Sequence, residues 1–373
     1  MKRTMDWYGT IIRPLLFLLE GEDAHRLGIW AASWCNCKPV GVAVASCLGY
    51  THPNLAVKVA GMSLTGPLGI AAGFDKEGRA IGFAQSIGAG HIEVGTVTIR
   101  PQTGNPRPRV FRFSAEEAIV NRMGFPSSGV DDLLERLHCW VNRERAIRIG
   151  INIGKNKETP IVQAVEEYER LSHLVAPYAD YVCLNISSPN TRDLRTLQEP
   201  KRLAELLAAC RNGVGQKPLF VKLSPDIEPD ELSPIVAVLI EQKIDAIVAT
   251  NTTISRTSCP GANNYEGGLS GVPLFERSVT FVRQLYGEVG KEIPIIGVGG
   301  INTAERALTM IAAGASALQA YTGIVFRGPA MISDIHRGMM AWMTERRLSS
   351  ITSLIDHPEL LSCDKRNASR GTR

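Results

Sequence analysis

The 373-residue sequence has no apolar run near the roughly 20 residues that a bilayer-spanning helix needs. The longest run near its start, Leu15-Leu16-Phe17-Leu18-Leu19, is five residues long and follows Arg13-Pro14. That excludes a chain that crosses a membrane on this segment. A small-residue cleavage site of the secretory type is also missing from the opening residues. Charge of either sign is in short supply as a partner signal: 41 Lys+Arg against 37 Asp+Glu leave a formal +4. The basic residues gather only locally, as Arg107, Arg109 and Arg112 and as Lys365, Arg366, Arg370 and Arg373. Nucleic acid calls for a denser basic face, so no nucleic-acid partner is expected. Eight Cys in a chain this long make no disulfide scaffold. Cys35 and Cys37 form a lone C-x-C without a second pair, and the seven His never fall at H-x-x-x-H spacing. No metal is expected. Cys183 and Cys210 sit in apolar runs and read as small buried hydrophobes in a reducing compartment.

What the chain does have is one repeated grammar. From about residue 65, a short Val/Ile/Ala/Leu run ends in Gly or polar residues and a helical pattern follows. Eight such runs occur: Leu68–Ala72, His91–Thr96, Arg148–Ile153, Asp180–Ile186, Pro218–Leu223, Asp245–Thr250, Pro294–Val298 and Ala315–Tyr321. Apolar strands alternating with helices predict a parallel sheet covered on both faces, and eight of them predict a (β/α)8 barrel of the TIM type. A doubly wound open sheet is the competing architecture, but no G-x-G-x-x-G follows the first strand. Gly150–Asn156 is one residue short of a phosphate loop, and Asn156 stands where that loop needs Ser or Thr. Val57–Leu64 predicts a small hairpin closing the barrel bottom. The gaps after the second and sixth strands leave room for loop excursions.

Before the barrel, Trp7, Tyr8, Ile11, Ile12, Leu15, Leu16 and Leu19 recur at helical spacing, and Ala24, Leu27, Ala31 and Trp34 suggest a second helix. Two short apolar helices fit either a membrane surface or the flank of the barrel, and periodicity alone does not choose. The expected domains are therefore 1–48 helical, 49–345 barrel, and 346–373 a polar, partly disordered tail.

Chemistry in a barrel gathers at the carboxyl ends of the strands. Here those ends carry Ala72-Gly73-Phe74-Asp75-Lys76, Thr96, Asn152, Asn185–Thr191, Lys222, Thr250-Asn251-Thr252, Gly299-Gly300 and Tyr321-Thr322-Gly323. One Asn or Lys at a strand end means little, whereas eight consecutive strands ending this way define a site. The last two loops occupy the usual phosphate position of the fold, which suits a cofactor with one phosphate. Lys222 points inward from a strand and must be paired or used, either beside a reduced flavin ring or as a Schiff-base nucleophile. Asn121, Asn185, Asn190 and Asn251, with Lys76, suit a small planar anion bearing amide groups. Ser188 is either a turn residue or a base whose proton leaves through a relay.

These stretches resemble dihydroorotate dehydrogenase of class 2, the membrane-associated, quinone-reducing type. The resemblance runs over residues 5–340. It rests on Ala71–Lys76, Asn121-Arg122-Met123-Gly124-Phe125, Gly150–Asn156, Asn185–Thr191, Ala249–Thr253, Gly267-Gly268-Leu269-Ser270-Gly271 and Ile295–Ile301. It implies oxidation of (S)-dihydroorotate to orotate in pyrimidine synthesis, with FMN as the bound flavin and ubiquinone as the acceptor. Carried over, Ser188 is the base. Lys76, Asn121, Arg122, Met123, Gly124, Phe125, Asn185, Asn190, Asn251 and Thr252 hold the substrate. Ala72, Gly73, Phe74, Asp75, Lys76, Thr96, Asn152, Asn185, Lys222, Thr250, Gly271, Gly300, Tyr321 and Thr322 hold FMN. The first 48 residues become a quinone mouth on the membrane surface, with Glu22–Leu27 matching the family's second helix. Leu16, Leu19, His25, Arg112 and Tyr321 then line the tunnel. Pro126 follows Asn121–Phe125 where many relatives have Asn. No obligate protein partner is implied. The expected place is the inner mitochondrial membrane for a eukaryotic source, or the cytoplasmic face of the inner membrane for a bacterium. The resemblance leaves two rivals to exclude by assay. One is a flavin-free lyase working through Lys222. The other is a soluble flavoprotein using fumarate or nicotinamide.

Overall fold

The structure is a computed structural model and describes residues 6–141 and 143–361. The chain enters through an irregular helical turn, Tyr8–Ile12, which runs into α1 (Arg13–Leu16). Two longer helices follow, α2 (Gly21–Ser33) and α3 (Lys38–Leu48). Next comes an antiparallel hairpin, β1 (Val57–Val59) and β2 (Met62–Leu64). Strands β3 (Leu68–Ile70) and β4 (His91–Val97) begin the parallel sheet. Strands β5 (Val110–Phe113) and β6 (Ala118–Asn121) leave it. It resumes with β7 (Arg148–Ile153), β8 (Tyr181–Asn185), β9 (Leu219–Leu223) and β10 (Ala246–Ala249). After β11 (Gly268–Gly271) outside the sheet, β12 (Ile295–Val298) and β13 (Ala315–Ala320) complete it. The eight parallel strands close in the order β3-β4-β7-β8-β9-β10-β12-β13, the (β/α)8 barrel expected from the sequence. All eight lie within a residue or two of the predicted runs.

The strands close into a barrel because their side chains are apolar on both sides. Every residue of β4, β8, β9, β10 and β12 is buried, facing either the barrel interior or the helices outside. The helices answer with one apolar stripe each. In Val130–Val141 the buried positions are Val130, Leu133, Leu137 and Trp140, three or four residues apart. A leucine moved fully out of water in this way contributes about 1.5–3 kcal/mol. Helix starts are fixed locally: Thr303 accepts the Arg306 N–H through its hydroxyl at 3.3 Å. The β1–β2 hairpin lies at the barrel bottom as predicted, where Arg148 at the start of β7 donates to the Ser63 carbonyl at 3.3 Å.

Three features depart from the sequence reading. The helical start holds a third helix, α3, where only two helices were expected. The two loop excursions are one structure: β5, β6 and β11 form an antiparallel sheet in which Gly268 pairs with Asn121 and Val110 pairs with the same residue from the other side. It has its own small core of Ala118, Val120, Cys259, Ala262 and Leu269. Finally, residues 346–361 are not a polar tail. Ile351 and Leu354 are fully buried against the barrel, and Asp356 reaches Lys291 at 2.5 Å. The rest of the expected tail, 362–373, lies outside the described residues. No helix among the described residues is long and apolar enough to cross a membrane.

Candidate active site

One cavity of about 530 Å³ runs from the carboxyl ends of the strands to the inner faces of α2 and α3. Its two ends differ in chemistry. The deep end is polar and is built by strand ends and by the β5–β6–β11 sheet. The outer end is apolar and is walled by Ile29, Ala32, Cys35, Val44 and Leu48 of the helical start.

At the deep end two pairs of asparagines face each other. Asn190 donates its amide to the backbone carbonyl of Asn121 at 3.0 Å and to its side-chain oxygen at 3.1 Å. Asn251 donates to the Asn185 side chain at 3.0 Å and to the Ser187 hydroxyl at 3.0 Å. The loop that carries Ser188 is held from behind. Arg195 donates to the Ser187 carbonyl at 3.1 Å, and the Tyr168 hydroxyl donates to the Asn185 carbonyl at 2.8 Å. Ser188 itself is buried, and its oxygen accepts the Asn190 N–H at 3.3 Å. Its own proton goes to no described residue, so it is free for a group or water inside the cavity. Lys76 lines the same space. The cavity leaves part of its surface open, yet it lies deep in the protein. Burial pushes its pKa down to about 8 against the opposing pull of the Glu22 carboxylate.

Beside this pocket Lys222 is buried with no hydrogen-bond or ion-pair partner among the described residues. A lysine ammonium out of water and unpaired is costly, so the site is built for an anionic or hydrogen-bonding occupant. The neighbouring wall is glycine for a reason. Gly299 and Gly300 have φ of +129° and +67°. A Cβ on them would sit 2.1 Å from the Ser278 hydroxyl oxygen and 2.6 Å from the Phe275 Cβ. Their N–H groups make no backbone hydrogen bond among the described residues. Bare N–H groups beside a lone lysine fit a phosphate and a conjugated ring. Thr96, Thr250, Gly271, Tyr321 and Thr322 line the same stretch.

Where the polar and apolar ends meet, His25 of α2 stacks on Tyr321 at 6.1 Å and meets Phe74 edge-on at 5.5 Å. Burial holds the imidazole down at about 4, so it is neutral, and pushes the Tyr321 phenol up to about 12. Arg112 closes the outer rim. Its guanidinium lies 4.3 Å over the Phe17 ring and donates to the Phe17 and Leu19 carbonyls. Arg109 ties α2 to the barrel through a two-pronged bond to Glu22, at 2.7 and 2.8 Å. The helical start thus packs on the barrel and also presents an apolar face. Trp7, Leu15, Leu18, Trp30, Trp34 and Val42 are all more than half exposed. Of the two readings left open by the sequence, packing on the flank of the barrel describes the inner face, while the outer face is apolar and exposed.

Most of the predicted site residues meet in this cavity: Ala72, Gly73, Phe74, Lys76, Asn121, Met123, Gly124, Phe125, Asn185, Ser188, Asn190 and Thr252 line it, with the groups named above. Four residues that the resemblance placed at the ligands do not. Asp75 is turned inward to accept the Arg79 and Ala80 N–H groups at 2.9 and 2.7 Å, which fixes the loop. Arg122 turns outward onto the Pro108 carbonyl. Asn152 stands one layer behind Thr96 and Asn185. Leu19 is exposed, while Leu16 lines the cavity. Sequence reasoning missed Gln319 and Ser270 on the lining, and the α3 wall. Among the described residues no three His, Cys, Asp or Glu converge as metal ligands.

Against this geometry the comparisons with known proteins agree. The family model for dihydroorotate dehydrogenase matches residues 54–343. A protein of Gloeobacter violaceus named dihydroorotate dehydrogenase (quinone) is 43% identical over 358 residues, covering 94% of this chain and 96% of its own. One of the same name from Burkholderia cenocepacia is 44% identical over 334 residues, covering 87% and 95%. Among solved structures, a dihydroorotate dehydrogenase of Eimeria tenella in complex with ferulenol superposes with a TM-score of 0.83 at 33% identity. That match covers 92% of this chain and 98% of that one.

Proposed function

We infer the function from one premise: the chain belongs to the dihydroorotate dehydrogenase family, in its quinone-dependent class 2. It oxidises (S)-dihydroorotate to orotate in de novo pyrimidine synthesis and passes the two electrons to a quinone. The flavin dependence of the family meets its match in the lone Lys222, the Gly299-Gly300 wall and a cavity with one polar and one apolar end. FMN is the flavin these groups suit, since one phosphate satisfies the bare N–H groups of the Gly299-Gly300 wall. When bound, the flavin supplies the acceptor for the hydride from C6 of the substrate.

The protein's own residues do the rest. Lys76 meets the substrate carboxylate, and the four asparagines and Thr252 hold the ring amides. Ser188 takes the C5 proton and hands it on to a water in the cavity, since no imidazole or carboxylate among the described residues is bonded to its hydroxyl. Arg122 and Asp75 serve as loop supports, and Asn152 acts from behind. Residues 1–48 are a quinone-entry domain on the 49–345 barrel. His25, Arg112 and Tyr321 are the polar points, and Leu16 is part of the wall. Ubiquinone is the acceptor. The exposed Trp and Leu side chains of the helical start rest on a lipid surface without crossing it. The two curated relatives named above are bacterial, which supports the alternative, the cytoplasmic face of a bacterial inner membrane, and lends nothing to the mitochondrial reading.

The observation that carries this reading is the continuity of the polar pocket with the apolar mouth through His25 and Tyr321. The test is an anaerobic titration. The purified yellow protein should bleach with dihydroorotate and recover its colour with a quinone analogue. A loaded protein that stays yellow with dihydroorotate contradicts the reading.

A further inference from the structure

Beneath the asparagine pairs the barrel interior holds a carboxylate that the reaction scheme does not use. Glu93, the third residue of β4, has no solvent exposure at all. One of its oxygens accepts the Asn152 amide at 2.8 Å. The other accepts the Tyr181 hydroxyl at 3.2 Å and the Gln319 amide at 2.9 Å. The Cys183 thiol is a fourth hydrogen-bond neighbour. A carboxylate is acceptor-only, whereas each amide above it can face either way.

We propose that Glu93 is a positioning residue that sets the donor–acceptor direction of the whole amide chain above it, and so makes the pocket present acceptors to the N–H groups of a pyrimidine-dione ring. Because the Glu93 carboxylate only accepts, Asn152 must turn its amine down. Its oxygen then faces up, where it accepts from the Thr96 hydroxyl and, at 3.2 Å, from the Asn185 amine. The second Asn185 hydrogen goes to the Thr96 oxygen at 2.8 Å. Asn185 is thereby left with its oxygen toward Asn251, which donates both hydrogens, one to Asn185 and one to Ser187. The Asn251 oxygen takes the Thr252 N–H at 2.8 Å. Both amines are used up inside the protein. Oxygen lone pairs are all that Asn185 and Asn251 have left for the cavity they line. Were Asn152 to invert, the chain would turn amines toward ring N–H groups, donor against donor.

This inference rests on the dihydroorotate reading, and the experiment separates the two. Two variants are compared with wild type for orotate affinity by calorimetry, with flavin content and melting temperature measured on the same samples. Glu93→Leu removes the anchor, and Tyr181 and Gln319, 3.5 Å apart, can still pair with each other. The swap Glu93→Gln with Asn152→Asp exchanges donor and acceptor at the anchor. The carboxylate it places on β7 can only accept from Thr96 and Asn185, so the upper chain keeps its direction. The expected result is orotate binding weakened about tenfold or more in Glu93→Leu, with flavin retained, and restored to within about threefold of wild type in the swap. Should the leucine variant fail to fold, Asn152→Asp alone takes its place. It sets two carboxylates face to face, and the inference requires it to bind more weakly than the swap. Glu93→Leu binding like wild type, or a swap no better than the single variant, overturns the inference. Wild type failing to bind orotate overturns the functional reading itself.

Discussion

Lys76 offers a quantitative handle on the substrate pocket. Its pKa of about 8 reflects burial, partly offset by Glu22, and its ammonium is the natural partner for the substrate carboxylate. An anion binds the protonated form, so binding takes up a proton wherever the free lysine is neutral. The sign follows: affinity is full below about pH 8 and falls as pH rises through it. With that midpoint, about nine-tenths of the sites are competent at pH 7 and about one-tenth at pH 9. Apparent orotate affinity should therefore drop about tenfold between them, close to 1.4 kcal/mol. Calorimetry in two buffers of different ionisation enthalpy should also find about half a proton taken up per orotate at pH 8. Tyr321 does not interfere, being held up at about 12, nor does His25, which is already neutral. Lys76→Gln should bind weakly and without pH dependence over this range. An affinity that stays flat from pH 7 to 9 in wild type, with no proton uptake, would show that the Lys76 ammonium does not hold the substrate carboxylate.

Four further outcomes follow from the same geometry. Glu22→Gln removes the carboxylate that supports the Lys76 charge, so the midpoint of the orotate pH profile should move below that of wild type. Ser188→Ala should keep its flavin and its orotate affinity within a few-fold, yet slow flavin reduction by dihydroorotate by about 100-fold or more in stopped-flow at neutral pH. Lys222→Met should lose flavin on gel filtration, while its apoprotein melts higher than the wild-type apoprotein, because an unpaired buried charge is gone. Gly299→Ala should lose flavin and stability together in the same two assays, since its Cβ has no room and its φ of +129° disfavours a side chain.

The barrel was legible because each strand is a short apolar run ending in Gly or polar residues, a pattern that local sequence alone displays. The β5–β6–β11 sheet was not. Val110–Phe113 is only half buried, and β6 pairs with Gly268–Gly271 about 150 residues away, so no local pattern links them. Helix α3 was hidden by its composition: Val40-Gly41-Val42-Ala43-Val44 has no polar face and alternates like a strand. The polar residues at the strand ends pointed to the site correctly, since barrel geometry brings any such residues together. Which of them touch a ligand was beyond the pattern. Asn152 and Lys222 look alike as strand-borne polar residues, and only packing shows that one stands behind Thr96 while the other opens on the cavity. Glu93 did leave a trace, a lone carboxylate inside a wholly buried strand, whose cost in isolation demands several donors around it.

On the proposed function, electrons leave a dihydroorotate site and reach a quinone through the mouth formed by residues 1–48. The most direct measurement is steady-state dihydroorotate oxidation with a quinone analogue, comparing the full chain with one lacking residues 1–48. The full chain should form one quinol per orotate. The truncated protein should still bleach with dihydroorotate but turn over slowly with quinone. Equal quinone turnover by both proteins, or turnover with fumarate or a nicotinamide in place of quinone, would contradict the proposed function.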